Sequence, residues 1–225
     1  MRSLKVALFL TLFVMAHRVA TATPVILSPT AIVANTMGTF PCCGYNQVNM
    51  INQAGLLAAY TSGVTDFNTY LATNPLHTVD AFCCEWFSPD GVMSGSLTFD
   101  LGAIYQVDRV AAWADEFAGF GTTNVFSSLD NSAFTLVGTF TPTNHLSLAQ
   151  GGPLTYGADV AALLVTNGRY IRFDISGPQV PRDYNGLGIG EVAFSVSTAV
   201  PEPTSLMLLG CGLFGIRRLR RRNVA

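Results

Sequence analysis

Positive charge is almost missing from the middle of this 225-residue chain. Eight of its twelve lysines and arginines sit near the two ends. Residues 23–199 keep only Arg109, Arg169, Arg172 and Arg182 against thirteen acids, a net charge of −9. A nucleic-acid partner needs a basic footprint, so the acidic middle argues against that class. An anionic membrane surface is disfavoured for the same reason, whereas divalent cations and neutral glycans remain compatible. Histidine is scarce too: His17, His77 and His145 are all there are, and the last two read as loop residues rather than general bases. No nucleophile elbow, P-loop or metalloprotease helix occurs. Asp115-Glu116 reads as a solvated carboxylate pair at a strand end. The expectation is therefore a protein that is not an enzyme. Long hydrophobic runs are also lacking. The two apolar segments, Val6–Ala16 and Ser205–Ile216, hold 11 and 12 residues. At about 1.5 Å per residue neither reaches beyond roughly 18 Å, well short of the roughly 30 Å hydrocarbon core. No internal repeat appears.

What the ends do contain is addressing chemistry. Met1–Ala22 has a basic start (Arg2, Lys5), the apolar run, and Ala20-Thr21-Ala22 as a small-residue cleavage site. That order describes a secretory signal, helical in its apolar part. At the other end, Val200-Pro201-Glu202-Pro203 precedes the apolar segment, and Arg217, Arg218, Arg220, Arg221 and Arg222 follow it. The prolines can continue neither a helix nor a ladder, so the folded part stops before them. Flanking arginines stay on the cytoplasmic side, which holds this end inside while the body lies outside. The chain thus divides into residues 1–22, a body of 177 residues at 23–199, and a sorting segment at 200–225 carrying a short hydrophobic helix. The body is long enough for one domain with a real core.

The terminal order of Pro-Glu-Pro, apolar run and arginines resembles the PEP-CTERM sorting signal of Gram-negative bacteria that make extracellular polysaccharide. The resemblance implies recognition and processing by exosortase, a membrane transpeptidase. It implies transient insertion in the inner membrane, export across it, and a final place at the cell surface or in the extracellular matrix. Sorting says nothing of biochemical activity, which must come from the body.

Five cysteines occur as Cys42-Cys43, Cys83-Cys84 and the tail residue Cys211. In an exported protein the two adjacent pairs read as disulfides. Neighbouring side chains on an extended strand point to opposite faces, so links between the pairs are expected rather than within them. Whether 42 joins 83 or 84 stays open. The pairs lie in a stretch from Phe40 to Pro89 that is rich in Asn, Gly and Thr and reads as long loops, with one short helix over Asp66–Ala72. Thr65 or Asp66 caps it, and Phe67, Tyr70 and Leu71 fall at helical spacing.

Short strands dominate the rest. Thr23–Met37 reads as an edge strand with a turn, and Ser96–Leu101 alternates and ends at Gly102. Val107–Trp113, Asn124–Ser128, Phe134–Phe140, Val160–Thr166, Tyr170–Ile175 and Ile189–Val196 follow, with Asn167-Gly168 as a tight-turn signal between two of them. Such a set indicates an all-β sandwich.

The succession Thr78-Val79-Asp80, Glu85-Trp86-Phe87-Ser88, Leu97–Ala103, Val107–Val110, Phe126–Asp130, Phe134–Val137, Arg169–Phe173 and Gly190–Phe194 resembles the discoidin, or coagulation-factor type C, group of galactose-binding jelly rolls. It covers about residues 78–196. Ala81 after Asp80, where the family has glycine, and the cysteine pairs depart from the pattern. The resemblance implies a structural calcium held by Asp80 and Glu191, and ligand binding through loops at one end of the sandwich. Trp86, Phe87, Trp113, Phe117, Phe120 and Tyr184 are then the rings to stack on a sugar, with Arg182 and Asp183 as hydrogen-bonding partners, although Trp86 and Trp113 are expected first as the large buried anchors that a sandwich needs. The function expected is a non-catalytic module that binds exopolysaccharide. The alternatives are a structural matrix protein without a ligand pocket, or a glycan-active enzyme built on Asp115, Glu116 or a histidine.

Overall fold

A computed structural model describes residues 23–78, 84–143, 145–146, 151–179 and 183–197. The secretory signal, the sorting segment, Asp80, Cys83 and Arg182 lie outside the described residues. The described part belongs to one compact unit, Thr23–Thr198. In chain order it contains β1 (Val25–Leu27), β2 (Ala31–Asn35), a 3₁₀ turn (Gln47–Ile51), α1 (Phe67–Ala72), β3 (His77–Thr78) and β4 (Trp86–Phe87). There follow β5 (Ser94–Ala114), β6 (Thr122–Ser128), β7 (Thr135–Phe140), β8 (Thr155–Tyr156), β9 (Asp159–Ser176) and β10 (Gly188–Ser197). Among the described residues no helix is long and apolar enough to cross a membrane.

β5 and β9 are far longer than the others because each serves both layers of the sandwich. Their antiparallel ladder runs from Ser94 opposite Ser176 to Ala112 opposite Asp159, broken by a register shift between Asp100 and Tyr105. Before the shift, β5 pairs β2 on its other side, and β9 pairs β6, which pairs β7. After it, β5 pairs β10, which in turn pairs β1 and β4. The result is a jelly-roll β-sandwich, all antiparallel.

The two strands expected on either side of Gly102 are therefore one. Gly102 adopts φ +84°, which lets β5 bend where it passes from one layer to the other. Asp100 fixes the bend: its Oδ1 accepts the Gly102 N–H at 2.8 Å, and Arg169 grips both carboxylate oxygens at 2.9 Å. Asn167-Gly168 is likewise no hairpin turn, since β9 runs straight through it with Gly168 opposite Tyr105. Glycine is needed there for a different reason: a Cβ would lie 2.2 Å from Ser127 Oγ on β6.

Alternation fills the space between the layers. Leu97, Phe99, Leu101, Ile171, Phe173 and Ile175 face Val110, Ala112, Val192, Phe194 and Val196 in one buried cluster. Phe99, Phe173 and Phe194 meet edge to face with centroids 5.1–6.2 Å apart, the geometry that ring quadrupoles favour. A second buried cluster covers the outer face of β5 and β10, where Ala111, Trp113 and Ala193 lie beneath Ile26, Tyr60, Phe67, Tyr70 and Tyr156. α1 supplies part of that cover. Its start is set as the sequence indicates, with Asp66 accepting the Thr69 N–H at 2.6 Å.

Candidate functional site

Four segments converge at one end of the sandwich. β4 supplies Phe87, the loop after β5 supplies Phe117, the loop before β10 supplies Tyr184, and the turn after β2 supplies Phe40 and Tyr45. Backbone bonds tie them together. Phe40 N–H donates to Phe87 O at 2.8 Å, and the N–H groups of Asp183 and Tyr184 both donate to Phe117 O at 3.0 and 3.1 Å. The Tyr184 hydroxyl donates to Ser88 O at 2.8 Å. Burial, with Asp90 nearby, raises that phenol above its ordinary value and keeps it a neutral donor.

The five rings form a platform. Phe87 is buried and presents its plane edge-on to Tyr45, Phe117 and Tyr184 at 4.7, 6.5 and 5.6 Å. Phe117 and Tyr184 lie nearly parallel, 6.1 Å apart at 17°. Phe117 is 39% exposed and Tyr184, Phe40 and Tyr45 are half-buried, so part of the ring group reaches solvent above a fixed base. Asp183 and Asn185, on either side of Tyr184, are exposed.

Of the candidate rings, Trp113 lies in the second buried cluster, and Trp86 and Phe120 do not take part either. Trp86 has no exposed surface, and its indole N–H is used by Gly38 O at 3.1 Å and Thr39 Oγ1 at 3.0 Å. Phe120 is equally buried and packs edge-on against Phe140. Both are core anchors, because the inner side of each segment must fill the sandwich. Phe40 and Tyr45 went unassigned in the sequence; the signal for them was their position on either side of Cys42-Cys43.

That cysteine pair corrects a second expectation. Cys42 is bonded to its neighbour Cys43, with Cα atoms 3.7 Å apart, rather than to the distant pair. The premise of an extended strand fails here: Cys43 sits in a turn at φ +71°, where successive side chains no longer oppose each other. Cys84 is also disulfide-bonded and also left-handed, at φ +59°.

The segments that carry Phe87 and Phe117 also bring three acids together. Glu85, Asp115 and Glu116 each offer a carboxylate oxygen within 4.8 Å of the others, and all three are buried. Asp115-Glu116 is thus no solvated pair. Asp115 Oδ1 accepts the N–H groups of Phe117 and Ala118 at 3.0 and 2.8 Å, and burial raises its carboxyl above the usual range. The Tyr156 hydroxyl donates to Glu85 Oε1. His77 Nδ1 lies 3.6 Å from the same oxygen but 2.8 Å from Thr78 O, and burial pulls the imidazole down to about 4. It brings no positive charge at neutral pH.

The calcium implied by the resemblance is testable at one ligand. Glu191 on β10 has no exposed surface; its Oε2 accepts the Gln53 N–H at 2.7 Å, and its Oε1 is buried without a hydrogen-bond partner. Burial holds its carboxyl well above the ordinary value. An orphaned carboxylate oxygen suits a hard cation. No arginine bridges to it among the described residues: Arg109 reaches Asp108 and Asn68, Arg169 reaches Asp100, and Arg172 reaches Asp174.

Residues 199–222 match the family model described as the PEP-CTERM protein-sorting motif. The chain therefore carries this sorting signal, which marks it for export. No curated protein matches the chain. Among solved structures, the chain is similar to the C-terminal domain of a chitobiase from Bacteroides fragilis, with a TM-score of 0.50 and 13% identity over 76% of this chain and 97% of that one. It is also similar to CBM32-3 of a family 31 glycoside hydrolase from Clostridium perfringens, with a TM-score of 0.40 and 18% identity over 51% and 76%. A third is chitosan-binding module 1 of a chitosanase/glucanase from Paenibacillus, with a TM-score of 0.42 and 17% identity over 78% and 94%. At these identities the likeness concerns the fold.

Proposed function

We propose that the chain is a non-catalytic carbohydrate-binding module, exported and then processed by an exosortase-type membrane transpeptidase in a Gram-negative cell. It ends at the cell surface or in the matrix, where it holds exopolysaccharide. The pair of exposed Phe117 and half-buried Tyr184 on the buried Phe87 base carries the reading. A pyranose presents a face of C–H groups, which lies against aromatic faces without loss of hydrogen bonds, while its rim hydroxyls turn to side chains such as Asp183 and Asn185. Ring faces held by backbone bonds lose little entropy on binding, which favours even weak contacts. A divalent cation at Glu191 is part of the same proposal, as a structural ion that ties β10 to the Gln53 turn. The experiment is retention on the producer's own polysaccharide. Phe117→Ala removes a ring that is 39% exposed and also packs on Phe87 and Tyr184, so binding weakens about tenfold, or ~1.4 kcal/mol, and the fold loses about 1 kcal/mol of ring packing. No retention of the unsubstituted protein at millimolar sugar would favour a purely structural matrix protein instead.

A further inference from the structure

Resting on the carbohydrate reading, we propose that the platform selects by charge: it takes sugars without carboxylate or sulfate groups, and gains from a free amine. The rings stand in a negative setting. Phe87 follows Glu85 by two residues, Phe117 follows the Asp115-Glu116 pair directly, and Tyr184 follows the exposed Asp183. Asp90 acts on the Tyr184 phenol through space. Three of these five acids form the buried cluster, where burial favours the neutral form of Asp115, so the negative setting is carried by Asp90 and Asp183, both exposed.

Among the described residues, the arginines that would offset them are committed elsewhere. Arg109 lies over Phe67 at 4.6 Å and contacts Asn68. Arg169 closes on Asp100 with two hydrogen bonds, and Arg172 is held between Phe126 and Phe134 at 4.7 and 4.5 Å while paired with Asp174. Arg182 is the one body arginine outside the described residues, a single charge against the two exposed acids Asp90 and Asp183. A uronate approaching the rings meets like charge before it gains any stacking. A glucosamine-type ammonium meets attraction, and a neutral sugar meets neither.

The test uses the protein as its cell processes it, and oligosaccharides of equal length in three forms: neutral, amine-bearing and C6-oxidised to the uronate. Both gluco and galacto series are included. At about 10 mM salt and pH about 6, the amine form binds about three- to tenfold tighter than the neutral form, and the uronate weaker by a similar factor. At about 1 M salt, where the Debye length has fallen from about 30 Å to about 3 Å, the three converge. Phe117→Ala, which leaves every charge in place, weakens all three. If that variant keeps the amine-bearing oligomer at full strength, the attraction belongs to the acidic surface at large and the inference fails. Uronate binding as strong as neutral binding at low salt overturns the inference and leaves the carbohydrate reading standing. Retention of no sugar in either series overturns both.

Discussion

Glu191 lies on β10 with no exposed surface, and burial lifts its carboxyl well above the ordinary value of 4.5 while the Gln53 N–H pulls the other way. A group with a raised folded pKa binds its proton more tightly in the fold than in the unfolded chain. Its contribution to stability is fully present below about pH 4.5 and is lost as pH climbs toward the folded value, at about 1.4 kcal/mol per pH unit in that window. Glu191→Gln keeps the acceptor for Gln53 and abolishes the titration. Denaturant melts of the two proteins without metal should therefore nearly coincide at pH 4 and separate by pH 7–8, with the glutamine variant the more stable. A cation would take the place of the proton. Added calcium at pH 8 is then expected to raise the melting temperature of the parent and leave the variant unmoved; equal shifts in both would remove Glu191 from the ligand set. Only the resemblance singled out Glu191, and its burial was not legible, because that depends on the Gln53 turn closing over it. The same limit explains Phe120, whereas Trp86 is the buried anchor that a sandwich was expected to need. A large ring in a loop-rich stretch says that something is buried nearby, not which ring is. Phe117 and Tyr184 reach solvent only because Phe87 lies beneath them and takes the inner position.

At the scale of elements, strand composition was readable and strand continuity was not. Glycine and Asn-Gly are ordinary stop signals, yet β5 passes through Gly102 and β9 through Gly168. In both places the neighbour decides. Thr30 approaches Gly102 so closely that a Cβ would lie 2.9 Å from its Cγ2, and Ser127 does the same at Gly168. These are contacts across tens of residues, which no local window contains. α1 was legible for the opposite reason: its cap, its apolar spacing and its end all lie within eight residues. Gly102 also carries the bend that lets one strand serve two layers. Gly102→Ala combines a left-handed backbone with a steric clash, and should cost about 1–3 kcal/mol by chemical denaturation. The exposed part of the ring platform is remote in sequence from the bend, so sugar binding of the folded fraction should survive. A substitution that melts like the parent would mean that the bend does not need the positive φ.

For the whole molecule, charge is distributed by destination. The −9 body carries the sandwich, while five arginines gather after a 12-residue apolar segment that is too short for a lasting span. A domain meant to fold outside gains solubility from its acids and would be poorly retained at an anionic inner leaflet, whereas the arginines suit that leaflet and delay release. The sorting tail was the most legible part of this division, since it depends on order and composition rather than on tertiary contacts, and residues 199–222 match the sorting-motif model. It also makes the disulfides consistent, because Cys42, Cys43 and Cys84 are oxidised and oxidation belongs to the exported side. Intact-mass measurement of the protein recovered outside the cell brings these threads together. The expected species begins at Thr23, lacks the arginine cluster and with it Cys211, and takes up no alkylating reagent at Cys42, Cys43 or Cys84 until a reductant is added. A full-length mass with reactive thiols would mean that the tail does not direct export, and that the body's cysteines meet a reducing compartment.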